Sequence, residues 1–206
     1  KVRSGNNDPG QLQTVNFGYD DIGNVTSQTD GLGNAMQMRY NKARQIESRW
    51  TPDPDGAGSR RPRIELIHYG AYGLPDSVTL GTVDYNGTNF AALQYYFPYY
   101  DGYGRKIYDR IHANNVDYAL TQTSYDALGR VDCVAQRMNP ANYGAQYGSG
   151  SPASACTHSS AGSNGKDRIT KYIWEWAGAL DRTISGYGTP AQRDDAHYQR
   201  NLNGSV

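Results

Sequence analysis

Sulfur, phenylalanine and histidine are scarce: 2 Cys, 3 Met, 3 Phe and 4 His stand in 206 residues. Two cysteines rule out a disulfide-dense scaffold. The histidines, His68, His112, His158 and His197, lie in four separate stretches without the spacing that a zinc site needs. A charge of one sign is also lacking, because 20 Lys and Arg balance 20 Asp and Glu. That removes the electrostatic footprint of a general nucleic-acid binder, so no nucleic-acid partner is expected. The basic cluster Arg60-Arg61-Pro62-Arg63 stands beside a Pro, Gly and Asp-rich stretch and reads as a solvated loop. No apolar run approaches the roughly 20 residues of a membrane-spanning helix, and no long window keeps a helical period. Nucleophile-elbow spacing is missing; Gly148-Ser149-Gly150-Ser151 is linker-like. Asp53-x-Asp55-Gly56 opens like a calcium loop but places Arg61 and Ile64 where oxygen ligands are required. The chain is therefore expected to be no enzyme, with no cofactor and no metal.

What is abundant is tyrosine and glycine, 18 and 24 residues, and they recur in register. Tyr125-Asp126-Ala127-Leu128-Gly129-Arg130-Val131 has a second copy at Tyr19-Asp20-Asp21-Ile22-Gly23-Asn24-Val25. Aligning on the glycine and on the aromatic four places before it gives repeats that start at Tyr19, Tyr40, Tyr69, Tyr100, Tyr125 and Trp174. The glycines are Gly23, Gly73, Gly104, Gly129 and Gly178, with Arg44 in that place in the second repeat. Repetition at this period means that a residue is read first as part of an array and only then as part of a site.

Each repeat reads as strand, tight turn, strand and variable turn. Before the turn, Val15/Phe17/Tyr19, Met36/Met38/Tyr40 and Thr170/Tyr172/Trp174 alternate with the period of a half-buried strand. Within the turn, an aspartate such as Asp20, Asp101 or Asp126 can accept a bond from the backbone N–H two residues on. The glycine then supplies positive φ in a hairpin closed by a bulge. The spacing from Tyr19 to Tyr40, 21 residues, is the bare repeat. A second turn signal marks the opposite end of the strands, Asp30-Gly31-Leu32-Gly33-Asn34 in the bare repeat and Asn86-Gly87 and Asn114-Asn115 later, and longer spacings place their extra residues there. The largest addition, residues 139–168, is rich in Gly, Ser and Ala and is expected to be mobile and the first place a protease cuts. Cys133 follows a tight turn and Cys156 lies in this insertion; a bridge that staples the insertion and a pair of free thiols both fit. A two-stranded hairpin of this composition gains stability only by stacking on its neighbours. No capping repeat stands at either end, and Arg200–Val206 match the frame of a further repeat, so residues 1–206 read as one array cut at both ends from a longer polypeptide.

The runs Tyr19-Asp20-Asp21-Ile22-Gly23-Asn24, Tyr100-Asp101-Gly102-Tyr103-Gly104-Arg105 and Tyr125-Asp126-Ala127-Leu128-Gly129-Arg130 resemble the YD repeat of the rearrangement-hotspot (RHS) family, over about Phe17 to Thr189. The resemblance implies an all-β strip of hairpins wound into a spiral, which in complete members forms a hollow shell. It also implies a secreted or cell-surface protein, either a toxin whose shell encloses a C-terminal segment or an adhesion protein like the teneurins. The implied partner is the rest of the same polypeptide. No match to the family's self-cleaving core is present, so no cleavage residue is assigned. The rival is recognition of a carbohydrate or a protein by exposed aromatics. Repeat tyrosines are expected to pack against the next turn of the spiral. Trp176, at a turn place held elsewhere by Asp21, Lys42, Ala71, Gly102 and Ala127, and Trp50, leading into a long variable turn, are the candidates for stacking on a sugar, with local packing expected for both.

Overall fold

The computed structural model describes residues 2–4, 13–55, 58–84, 87–147 and 153–199. The partial repeat at Arg200–Val206, the Gly148–Ser151 run and Asn86 lie outside the described residues. Two compact halves are distinguished, Lys1–Tyr96 and Phe97–Val206.

The first half holds β1 (Val2–Ser4), β2 (Gln13–Tyr19), β3 (Val25–Thr29), β4 (Ala35–Tyr40), β5 (Ile46–Trp50), β6 (Arg63–Tyr69) and β7 (Pro75–Thr82), with the start of β8 (Ala91–Tyr100). Each strand pairs antiparallel with the one before it in sequence. The second half continues with β9 (Lys106–Ala113), β10 (Val116–Tyr125), β11 (Val131–Arg137), β12 (Arg168–Trp174), β13 (Leu180–Ser185) and β14 (Arg193–His197), again antiparallel in chain order. The protein is all-β, an array of successive hairpins.

Six tight turns share one hydrogen-bond pattern. The residue after the repeat aromatic donates to the carbonyl four residues on, and the fifth residue of the repeat donates back to the second. In the first repeat these are Asp20 N–H to Asn24 O at 3.0 Å and Gly23 N–H to Asp20 O at 3.1 Å. The others follow at Asn41, Gly70, Asp101, Asp126 and Glu175. The register slips by one residue just before Tyr19, Tyr40, Tyr69, Tyr125 and Trp174, which is the bulge expected of such a closure. The fifth place has positive φ throughout, 88° at Gly23, 80° at Gly129 and 61° at Arg44. The third repeat departs from the rest: Gly70 replaces the aspartate, and Tyr72 also takes positive φ, at 68°.

The Asx bond expected of the aspartate is present. Asp101 Oδ1 accepts from Tyr103 N–H and Arg105 N–H, both at 2.9 Å, while Oδ2 accepts from Arg105 Nε at 2.7 Å. Asp126 repeats this with Leu128 and Arg130, and Asp20 with Ile22 and Asn24. Asp30 does the same at the opposite end of the first hairpin, so one turn design serves both ends of the strands.

The fully buried side chains concentrate in the second half, with Leu120, Cys133, Ala135, Ala155 and Ile169 within 1% of zero exposure. The reason is the insertion, which lies down on the sheet. After a short 3₁₀ turn (Pro140–Asn142) and α1 (Tyr143–Tyr147), residues 153–167 pack against β11 and β12.

Candidate functional site

The repeat aromatics join one hairpin to the one before it. Tyr40 Oη donates to the Val25 carbonyl at 2.9 Å, Tyr69 Oη to Ile46 at 2.9 Å and Tyr125 Oη to Lys106 at 3.0 Å. Trp174 does the same with its indole N–H, to Val131 at 2.7 Å. In every case the acceptor is the second residue after the preceding repeat's glycine position. The expectation that these tyrosines face the next turn of a spiral is corrected here: their partner is the neighbouring hairpin of the same sheet. A ring with a polar tip can fill a half-buried strand position and still reach a carbonyl of the adjacent strand, which phenylalanine cannot do. This favours Tyr over Phe at Tyr40, Tyr69 and Tyr125.

A second link runs through the residue after the glycine. The Arg105 guanidinium pairs with Asp101 at 2.6 Å and lies 4.5 Å from the centre of the Tyr125 ring. Arg130 pairs with Asp126 at 2.7 Å, lies 5.4 Å from the Trp174 ring and donates to the Glu175 carbonyl at 3.2 Å. Each arginine thus braces its own turn and touches the next repeat. Partial burial alone would raise the Asp101 and Asp126 carboxyls, but hydrogen bonds from the backbone and guanidinium of Arg105 and Arg130 outweigh it and hold both below the ordinary aspartate value.

Among the described residues of the insertion, 153–167 are fastened from inside, where a mobile loop was expected. Cys133 and Cys156 form a disulfide. The Arg137 side chain, wholly buried, meets Asp167 at 2.7 Å. Its other donors go to the Gln122 side chain, the Thr157 carbonyl at 2.6 Å and the Ser154 carbonyl at 3.0 Å. Asp167 also accepts from Met138 N–H at 2.9 Å and Ser159 N–H at 2.7 Å. Burial would raise its carboxyl, yet these bonds and Arg137 keep it low. Tyr143 closes the cluster by donating to the Arg137 carbonyl at 2.8 Å. A buried ion pair holds only when its remaining donors and acceptors are satisfied, and here they are, by the backbone of the insertion itself. Sequence reasoning passed over Arg137 and Asp167; their signal was a lone arginine at the end of an otherwise apolar-alternating strand.

Trp176 is 97% exposed, so the local packing expected for it does not occur. It stands at a turn tip, as do Tyr103 at 87% and Leu128 at 74% in the same half. Trp50 is half-buried, with the Arg39 guanidinium 5.0 Å from its ring centre and its side chain in a cleft with Gln37 and Ser48. Three of the histidines stand beside aspartates: His68 and Asp76 at 2.6 Å, His112 and Asp117 at 2.7 Å, and His197 and Asp181 at 3.3 Å. Asp132 lies close to the Cys133–Cys156 sulfurs, but disulfide sulfurs offer no thiolate to a metal, and its carboxylate is paired with Lys171 at 2.6 Å.

The hairpins, their common turn and the bulge before each repeat aromatic define an all-β array of repeated hairpins. No protein-family profile matches the chain, and no curated protein matches it. Among solved structures it is similar to the Tc holotoxin pore of Photorhabdus luminescens, at 20% identity and a TM-score of 0.42 over 89% of this chain and 9% of that one. A TcdB2-TccC3-Cdc42 crystal structure is similar at 17% identity and a TM-score of 0.44, over 93% of this chain and 10% of that one. The TcdB2-TccC3-TEV structure gives 20%, 0.43, 89% and 9%. The chain thus spans about a tenth of the length of these chains.

Proposed function

We propose that this chain is a wall segment of a secreted or cell-surface RHS-type protein, and that the wall contains or presents another segment of the same polypeptide by shape and not by catalysis. The observation that carries the reading is the repeated bond from each repeat aromatic to the preceding hairpin, as between Tyr125 and Lys106. It links hairpins that would be marginal alone into a strip that resists opening between repeats, as a retaining wall requires. The stapled insertion adds to this, because it covers one face of the sheet where residues are most deeply buried. The resemblance to YD-repeat shells supplies the enclosed segment as the partner.

The test uses the parent polypeptide that carries this chain. A segment outside the array stays resistant to protease while the array is intact and is digested once the Cys133–Cys156 bridge and the Tyr125 bond are removed together. Digestion at the same rate in both proteins rejects containment. A second reading, surface recognition of a carbohydrate or protein by the turn tips, is favoured by the exposure of Trp176. Under that reading Trp176→Ala loses binding to a partner that the native protein retains on a glycan or cell-surface array.

A further inference from the structure

On one face of the first half, strands β4 to β6 form a cleft of about 310 Å³. Register builds its walls. Gln37 stands opposite Trp50 and Arg39 opposite Ser48, while on the far side of β5 Trp50 faces Ile64 and Ser48 faces Leu66. Alternate residues of a strand share a face, so these are two adjacent rows of one surface. Val83, 2% exposed, and Ser48, 6% exposed, lie deepest. Arg39 reaches diagonally across to the indole, 5.0 Å from its centre.

The polar groups of this cleft lack hydrogen-bonding partners among the described residues. The Gln37 amide, the Arg39 guanidinium and the Ser48 hydroxyl make no side-chain hydrogen bond or ion pair with any described residue, and no aspartate or glutamate is among the described residues that line the cleft. Elsewhere in this half arginines find carboxylates: Arg49 pairs with Glu65 and Arg61 with Asp84. A guanidinium, an amide and a hydroxyl that converge on an indole over an aliphatic floor are the parts of a site for a small anion with a ring attached.

We propose that this cleft binds a hexuronic acid, a sugar ring that carries a carboxylate. The planar fork of Arg39 matches a carboxylate in geometry and charge. Next to it, Trp50 offers an aromatic surface to the C–H face of a pyranose, and Gln37 and Ser48 can donate to and accept from ring hydroxyls. The volume is at the lower end of small-molecule sites, which suits one sugar ring better than a nucleotide. A phosphate group would call for further cations or a nest of backbone N–H groups, and Arg39 is the only cation among the described lining residues. The site needs only the first-half hairpins and rests on neither reading given above.

The test is ligand-observed saturation-transfer NMR together with a tryptophan fluorescence titration of the whole chain, using glucuronate and galacturonate against the neutral methyl glycosides of glucose and galactose. A shallow single-ring site is expected to bind a uronate with Kd near about 1 mM, and the neutral sugars at least about tenfold more weakly. Arg39→Gln, an exposed side chain whose replacement leaves the melting curve unchanged, is expected to erase that difference by weakening the uronate alone. Trp50→Phe weakens both classes. If Trp50→Phe fails to fold, Arg39→Gln decides. No uronate signal at roughly 10 mM, equal binding of neutral sugars, uronate binding that survives Arg39→Gln, or binding lost instead in Trp176→Ala would each overturn the proposal.

Discussion

The Tyr125 hydroxyl donates to the Lys106 carbonyl at 3.0 Å, across 19 residues of sequence, from the end of β10 to the start of the neighbouring strand β9. The bond ties the start of one repeat to the strand just after the turn of the last. Tyr40 and Val25, Tyr69 and Ile46, and Trp174 and Val131 repeat the relationship, so it belongs to the array and not to one site.

Tyr125→Phe keeps the ring against Arg105 and removes only this bond. A net cost of about 1 kcal/mol is expected, seen as a melting temperature lower by about 2 to 4 °C. The double variant Tyr40→Phe/Tyr125→Phe, with the sites in separate halves, should lose the sum of the two single losses. A Tyr125→Phe protein that melts like the native one would show that the hydroxyl bond adds nothing to the joint between repeats.

Arg44 and Gly23 hold the same place in successive turns, at φ 61° and 88°. A side chain in the left-handed region costs about 1 to 2 kcal/mol, and Arg44 already bears that strain. Arg44→Gly is therefore expected to be neutral or stabilising, by up to about 1 kcal/mol after the greater freedom of glycine in the unfolded chain is set against the relief. Gly23→Ala is the converse. Nothing lies within 4 Å of the added methyl, so any loss measures backbone strain alone, about 1 to 2 kcal/mol. Chemical denaturation of both variants checks the pair, and a clearly less stable Arg44→Gly protein would mean that the arginine side chain holds its turn in a way the backbone does not reveal.

These turns were legible in sequence because their chemistry is local. Tyr-Asp-x-x-Gly encodes an Asx bond and a positive φ within five residues, and the alternation before it encodes the strand. The joints between hairpins were not legible, since Tyr40 to Val25 and Trp174 to Val131 depend on which strand lies beside which. The insertion misled for a related reason. Its Gly, Ser and Ala content reads as a loose loop, and its order comes from Arg137, Asp167 and a disulfide that bring together residues up to 30 positions apart. Trp176 stood out by its odd place in the repeat, but no local rule said that a tryptophan there would be left 97% exposed.

Arg137 and Asp167 make the insertion part of the fold. Asp167→Asn strands a wholly buried guanidinium charge, and a cost of about 3 to 5 kcal/mol is expected. Arg137→Met, which removes the charge but leaves the Asp167 carboxylate buried without its cation, should be comparably severe. The Cys133–Cys156 bridge closes a separation of 23 residues, and its loss in Cys133→Ser/Cys156→Ser is expected to cost about 3 kcal/mol. In limited proteolysis the native insertion should resist cleavage between Ala153 and Asp167, whereas Asp167→Asn should be cut there first. Rapid cleavage of the native protein within that stretch would contradict the packing described.

Acid should loosen the turns before the ladders of hydrogen bonds between strands are affected, and the sign follows from the carboxylates. For Asp30 the side-chain bond from Asn34 is the foremost cause that lowers the carboxyl; for Asp101 and Asp126 partial burial acts upward, and the bonds from Arg105 and Arg130 prevail. A folded value below the unfolded one, 3.8, means that these groups bind fewer protons when folded. Their contribution is complete above that pH and is lost as pH falls below it through the folded values. Stability is thus expected to be flat from neutral pH to about 5 and to drop below about 4. The protein supplies its own control at Asn41, where an uncharged amide accepts the same backbone bonds from Ala43 and Gln45 at 2.9 and 3.0 Å. Asp126→Asn should therefore keep the turn, give up the Arg130 pair and shallow the acid slope, with little change in fold at neutral pH. Circular dichroism melts between about pH 2 and 7 read this directly; an acid slope identical to the native one would remove Asp126 as a source of the pH dependence.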